Sequence, residues 1–145
     1  MAEKKFGGRT FRVVPMLATG AIVLQARVMA AAGPALSSLG DVFAGMDKDA
    51  SEDVRSAANA AAIGAFARIF ASAKPDELAG LIRDIVETAQ IRRDSGDYHP
   101  VDFDGDFTDH PGDVYPVLVW VLREQFGPFF FGLLGNGGLA KAVKG

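Results

Sequence analysis

The spacing of apolar residues along the chain predicts a mainly helical fold. The clearest segment opens at Pro75, carries Asp76 and Glu77 at the positive end of the helix dipole, and then repeats apolar residues at intervals of three and four. That spacing places the apolar side chains on one face of a helix. The same criterion predicts helices near residues 15–32, 53–72, 75–89 and 113–125, with a shorter one at 35–45.

Two of the predicted helices are apolar on almost every side. The first carries only Gln25 and Arg27 as strongly polar residues, which predicts a central position among the other elements. Residues 114–122 are apolar around the whole circumference. This last helix is therefore either wholly buried or covered by another chain.

Two segments outside the helices predict β-hairpins. Gly7 and Gly8 separate two stretches of aromatic and β-branched residues, and a two-glycine turn suits the positive φ angles of a tight hairpin. A DSGD turn separates IRR from YHPVDF in the same way. We expect an α+β, predominantly α-helical single domain over residues 1–145, with hairpins near 5–14 and 90–102 and a flexible tail over about 136–145.

The composition fits one soluble, intracellular domain. An apolar share of 49% in 145 residues is ample for a core, and the absence of cysteine excludes disulfides, thiolate metal sites and cysteine nucleophiles. The net charge of −3 gives no general attraction for a phosphate backbone, so no nucleic-acid partner is expected. Gln25 and Arg27 interrupt the apolar stretch MLATGAIVLQARVMAAAG, which leaves runs shorter than the roughly 20 residues of a membrane-spanning helix.

The residues that could carry chemistry do not form a known site. The acidic stretch DFDGDFTDHPGD fails the spacing of a calcium loop, since counting from Asp102 puts Gly105 fourth rather than sixth and Asp113 at the position of the bidentate glutamate. His99 and His110 belong to no zinc motif, and no serine has a nucleophile-elbow context. We therefore expect a solvated acidic loop, no metal, no cofactor and no enzymatic activity.

Two clusters of aromatic residues remain. Four basic residues lie beside two phenylalanines in the first hairpin, which loosely resembles a nucleic-acid surface, but the acidic total favours an edge hairpin with solvated charges. In QFGPFFFGLL, the Gly127-Pro128 pair predicts that the chain leaves the preceding helix. The phenylalanines then either fold back into the core or form an exposed patch that binds a partner.

Three stretches resemble the tail assembly chaperones of tailed bacteriophages. The opening FGGRTFRVVPML is a basic-aromatic hairpin that leads into a helix, and QARVMAAAGPALSSL is similar to the "R…P-x-L-x-x-L" pattern of that family. The segment VLVWVLREQFGPFFFGLL matches a terminal "F-x-x-F-F" signature at Phe126, Phe129 and Phe130. The tail GNGGLAKAVKG departs from any firm pattern of the family.

The resemblance implies a non-catalytic protein of the host bacterial cytoplasm that is absent from the mature virion. It would bind the tape-measure protein, keep its apolar helices soluble and recruit tail-tube subunits, and it could also self-associate. The alternative is a structural tail or neck component that stays in the virion. As a separate hypothesis, we assign the partner contacts to one set of aromatic and basic residues: Trp120, Phe126, Phe129, Phe130, Phe131, Phe6, Arg9 and Phe11.

Overall fold

The computed structural model describes residues 2–33 and 49–130, including all of their side chains except those of 32, 66 and 128–130. This part of the chain forms an α+β fold that is mostly helical, as predicted. Its elements, in chain order, are β1 (Ala2–Phe6), β2 (Arg9–Val13), α1 (Ala18–Ala32), α2 (Glu52–Ser72), α3 (Pro75–Val86), β3 (Ala89–Arg92), β4 (Tyr98–Pro100), α4 (Phe103–Phe107), a 3-10 helix (Pro111–Asp113) and α5 (Val114–Phe130).

Both predicted hairpins are confirmed, and they join into one antiparallel sheet of order β1-β2-β3-β4. Gly7 and Gly8 have φ angles of +57° and +79°, which suit the two-residue turn between β1 and β2. In the second hairpin, the φ angle of Gly96 is +91°. The two hairpins meet where β2 pairs with β3, with Phe11 opposite Ile91, a pairing that the sequence pattern did not predict.

Odd- and even-numbered residues of each strand lie on opposite faces of the sheet. On the inner face, Phe11, Val13 and Ile91 are buried against the helices. On the outer face, strand neighbours such as Arg12 and Gln90 stay partly exposed. Because side chains alternate along a strand, residues that are adjacent in sequence have different surroundings throughout the sheet.

The central helix is α5, since Val117, Val121 and Phe126 are among the most deeply buried side chains. Of the two alternatives for this helix, burial within the chain is the one observed. The prediction that α1 is central is wrong. Among the described side chains of α1, only Leu24 and Val28 are buried, because within residues 2–33 and 49–130 the helix packs by one face on α2 and α3.

The helix α5 also continues through Gly127 and Pro128 to Phe130, so the predicted exit from the helix at this pair is wrong. Proline has no N–H, and the helix therefore lacks one hydrogen bond, to the carbonyl of Glu124. The lost bond lies in the last described turn, and Phe126 just before it is buried in the core. Tertiary packing outweighs the unfavourable local preference here.

The acidic stretch is more ordered than the predicted loop. It contains α4 and the 3-10 helix, and the carboxylate of Asp102 caps α4 by accepting a hydrogen bond from the N–H of Gly105 at 3.4 Å. Asp106 in the same stretch is only 8% exposed, so the stretch is not uniformly solvated. The predicted helix at 35–45 and the predicted flexible tail lie outside the described residues.

Candidate partner-binding surfaces

An ion-pair network joins the inner side of the sheet to the acidic stretch. The guanidinium of Arg93 binds both carboxylate oxygens of Asp106, with 3.0 Å between Nη2 and Oδ2. The same carboxylate accepts a hydrogen bond from the backbone N–H of Asp102 at 2.8 Å. Arg9 adds a bond to the carbonyl oxygen of Asp106 and an ion pair with Asp113 at 3.3 Å.

The network favours the charged form of Asp106. Burial of this carboxyl opposes ionisation, but the hydrogen bonds from Arg93 and from the N–H of Asp102, with the charges of Arg93 and Arg9, outweigh it and lower its pKa. The hydrogen bond to Asp106 likewise raises the pKa of Arg93. The network therefore holds α4 against the sheet, and its role is to stabilise the fold.

Arg9 belongs to the interior of this arrangement. Its guanidinium lies over the rings of Phe11 and Phe107, at 5.5 and 5.2 Å from their centroids, and its Nε is buried without a hydrogen-bond partner. A stacked guanidinium of this kind gains from packing as well as from charge. Arg9 was predicted to contact a partner, but in this structure its side chain packs against and bonds to residues of its own chain.

The predicted aromatic contacts fall into three groups. Phe11, Trp120 and Phe126 fill the core and are not exposed to a partner in this structure. Phe6 is half-buried at the rim of the same cluster, with its ring 6.1 Å from that of Phe11 and 5.7 Å from that of Trp120. The side chains of Phe129, Phe130 and Phe131 lie outside the described part of the chain.

A different apolar surface lies on the solvent side of α1. Five apolar residues at helical spacing are exposed on one face of α1, where Thr19 is the polar neighbour among the described residues. Ile22 and Val23 are 65% and 60% exposed, and Leu17, which precedes the helix, is 84% exposed. We call this set the α1 outer face, and it consists of Ile22, Val23, Ala26, Met29 and Ala30.

An exposed helix normally presents polar residues to water. The α1 outer face departs from this rule. Beside it, Arg27 forms an ion pair with Asp84 of α3 at 2.7 Å. The hydrogen bond from Arg27 is the main reason that the pKa of Asp84 is lowered. Arg27, part of the family-like pattern in the sequence, thus fixes α1 on α3, and Ala30 at the edge of the α1 outer face lines the same groove.

The ion pair also borders an open groove of about 740 Å³ between α1 and α3. Its apolar lining comes from small and branched side chains, including Ala31, Leu78 and Leu81.

On α2, Ile63 and Phe70 are also exposed, and the ring of Phe70 meets that of Tyr115 edge-on at 6.0 Å. Exposed apolar residues therefore concentrate on α1 and α2.

The apolar residues around the whole of α1 are the sequence signal for the α1 outer face, but the same pattern predicts a central, buried helix. A helix that is apolar all round is either enclosed by its own chain or open to another one. The sequence pattern cannot separate these cases, because it does not say how many neighbours the helix has. The structure does: among the described residues, α1 packs on α2 and α3 through the face that carries Leu24 and Val28.

The described residues contain neither a membrane-spanning helix nor a cluster of metal-ligating side chains. None of the helices within 2–33 and 49–130 combines the length and apolar character needed to cross a membrane. The same residues contain no group of three or more histidine or acidic side chains placed to hold a metal ion.

Comparison with known proteins identifies the family of the chain. No curated protein and no solved structure matches it significantly. The family described as "Phage tail assembly chaperone protein, TAC" matches residues 7–137, which include β2, the second hairpin and every helix described above. With nearly its whole length matched, this chain belongs to the phage tail assembly chaperone family.

Proposed function

We propose that this chain binds the tape-measure protein, keeps its apolar helices in solution and recruits tail-tube subunits while the phage tail is built. It does so by binding and not by catalysis. The family supports a role in tail assembly. The observation that carries the finer proposal is the α1 outer face, because a large exposed apolar patch on a folded protein is typical of a surface that binds a partner.

The α1 outer face suits an apolar helix as its partner. Its small residues Ala26 and Ala30 let a second backbone approach closely, and the larger side chains beside them supply contact area. Full burial of an isoleucine or valine contributes about 1.5–3 kcal/mol. Ile22 and Val23 are 65% and 60% exposed, so covering them would contribute roughly 1–2 kcal/mol each.

A pull-down after co-expression with the tape-measure protein tests this proposal. The double variant Ile22→Gln/Val23→Gln keeps the helix but makes the α1 outer face polar, and we expect it to fold and to lose most of the captured partner. Ile63→Gln is the matched control, since this residue is 72% exposed on α2, outside the α1 outer face. Equal capture by the wild type and a folded double variant would refute the assignment of the surface.

We propose further that the protein acts in the host bacterial cytoplasm and leaves before the particle is complete. Its alternative role, as a tail or neck component, makes the opposite prediction about the virion. Mass spectrometry of purified particles distinguishes the two. A chaperone is absent from the particles, whereas a structural component is present at a fixed copy number.

Phe129, Phe130, Phe131 and the exposed rim of Phe6 remain proposed partner contacts. In the family-like signature, the first two follow Phe126, whose ring is buried. A buried ring can anchor the end of α5 and so hold the residues that follow it in place. We therefore propose that this end of the helix makes a second contact, with the tape-measure protein or with the tail-tube subunit, in addition to the tape-measure contact on α1.

A further inference from the structure

The outer face of the sheet carries cations that have no ion-pair partner among residues 2–33 and 49–130. Lys5, Arg12 and Arg92 lie on this face by strand parity and register, on β1, β2 and β3. None of them forms an ion pair within the described residues. The inner-face arginines Arg9 and Arg93 differ from them, since both are paired with the acidic stretch.

Arg12 is held in one orientation. Its guanidinium lies over the ring of Tyr98 at 4.1 Å from the centroid, and its Nε donates to Oε1 of Gln90 at 2.6 Å. These two contacts leave the two terminal nitrogens without a hydrogen-bond partner among the described residues. A guanidinium fixed by stacking and by its Nε presents a fork of donors that matches a carboxylate.

The one carboxylate on the same face does not use this fork. Glu3 pairs with Arg12 in the strand register, yet its Oε1 accepts a hydrogen bond from the hydroxyl of Tyr98 at 3.0 Å. Tyr98 reaches it across the two inner strands, so its ring supports Arg12 while its hydroxyl occupies Glu3. In the described part of the chain, this face thus keeps three cations, one of them preorganised, and the one strand acid on it, Glu3, already accepts a hydrogen bond from Tyr98.

We propose that this outer face, centred on Arg12 and flanked by Lys5 and Arg92, binds an acidic segment of a partner protein. Charge complementarity identifies the class of partner, because the outer face is basic on a chain whose net charge is −3. A nucleic acid fits less well. Its affinity grows with the number of phosphates neutralised, while this face offers three cations beside Asp94 and Asp97 of the β3–β4 turn.

Fluorescence anisotropy of the full chain with a short labelled poly-glutamate peptide tests the inference at low and at physiological salt. Arg12→Gln should weaken binding by about tenfold or more, since it removes charge-assisted hydrogen bonds. Arg12→Lys keeps the charge but not the fork and should also bind less tightly. Lys74→Gln is the matched control, because it removes one exposed charge from outside the sheet, and it should change binding by less than about twofold.

Arg92→Gln provides a second variant in case Arg12→Gln destabilises the sheet, since the Arg92 side chain is exposed and forms no ion pair or hydrogen bond with the described residues. It should also weaken binding of the peptide more than Lys74→Gln does. Equal losses in the sheet variants and the control would mean non-specific attraction and would overturn the proposal. The absence of peptide binding, or tighter binding of a single-stranded oligothymidylate of equal charge, would overturn it as well.

Discussion

The ion pair between Arg93 and Asp106 gives the most quantitative prediction about stability. Asp106→Asn removes the charge but keeps the shape of a side chain that is only 8% exposed. The wild-type carboxylate accepts two bonds from Arg93 and one from the backbone of Asp102. Hydrogen bonds to charged groups contribute about 1.5–3 kcal/mol each, and an uncompensated buried charge costs more than its lost bonds alone.

Solvent reduces this effect, because the side chain of Arg93 is 36% exposed. We therefore expect the variant to lose about 2–3 kcal/mol of the free energy of unfolding. For a domain of this size, that corresponds to a fall of about 5–10 °C in the melting temperature. Urea unfolding followed by circular dichroism measures the loss, and Asp109→Asn, an exposed acid in the same stretch, is the control.

The pH dependence checks the same reasoning by a second route. The pKa of Asp106 is lowered in the folded state from its ordinary value of 3.8. Its contribution is therefore present above about pH 4 and is lost as the pH falls through the folded pKa. The difference in stability between wild type and Asp106→Asn should shrink in acid. A difference that stays constant down to pH 2, or one no larger than for Asp109→Asn, would refute the role given to this carboxylate.

The remaining predictions concern the hairpin, the end of α5 and metal ions. Gly7→Ala should destabilise the protein more than Gly8→Ala does. Both residues have positive φ, but only a Cβ at Gly7 would lie 2.3 Å from a carboxylate oxygen of Asp113. Equal melting temperatures of the two variants would contradict this prediction. The double variant Phe129→Ala/Phe130→Ala should stay folded, become more soluble and lose tape-measure or tail-tube binding; a folded variant that binds normally would exclude these rings as contacts. Thermal melts with and without calcium or zinc should coincide, and a rise of several degrees with stoichiometric metal would show a site that we did not predict.

The sequence pattern predicted the elements whose signals are local. The apolar spacing after Pro75 identifies α3, although the helix ends at Val86 and the last predicted turn becomes the start of β3. The glycine turns identify both hairpins, because positive φ is a property of the turn itself. Such signals need no knowledge of the rest of the chain.

The features that the sequence did not predict depend on contacts between distant residues. Pairing of β2 with β3 joins the two hairpins through residues that are 80 positions apart, such as Phe11 and Ile91. The helical course of α5 through Pro128 depends on packing that outweighs local preference. The sequence pattern could not show that Trp120 is buried and Ile22 exposed in this structure, because apolar residues look alike in sequence whether their own chain or a partner covers them.

The measurement that tests the central claim most directly is hydrogen–deuterium exchange of the chain alone and in its co-purified complex with the tape-measure protein. If the α1 outer face is the contact, amides of residues 18–32 should exchange more slowly in the complex, because a docked partner suppresses local opening of this helix. Amides of the buried helix α5 from 117 to 126 should change little. Protection confined to other elements, with α1 exchanging at the same rate in both samples, would contradict the proposed function of this surface.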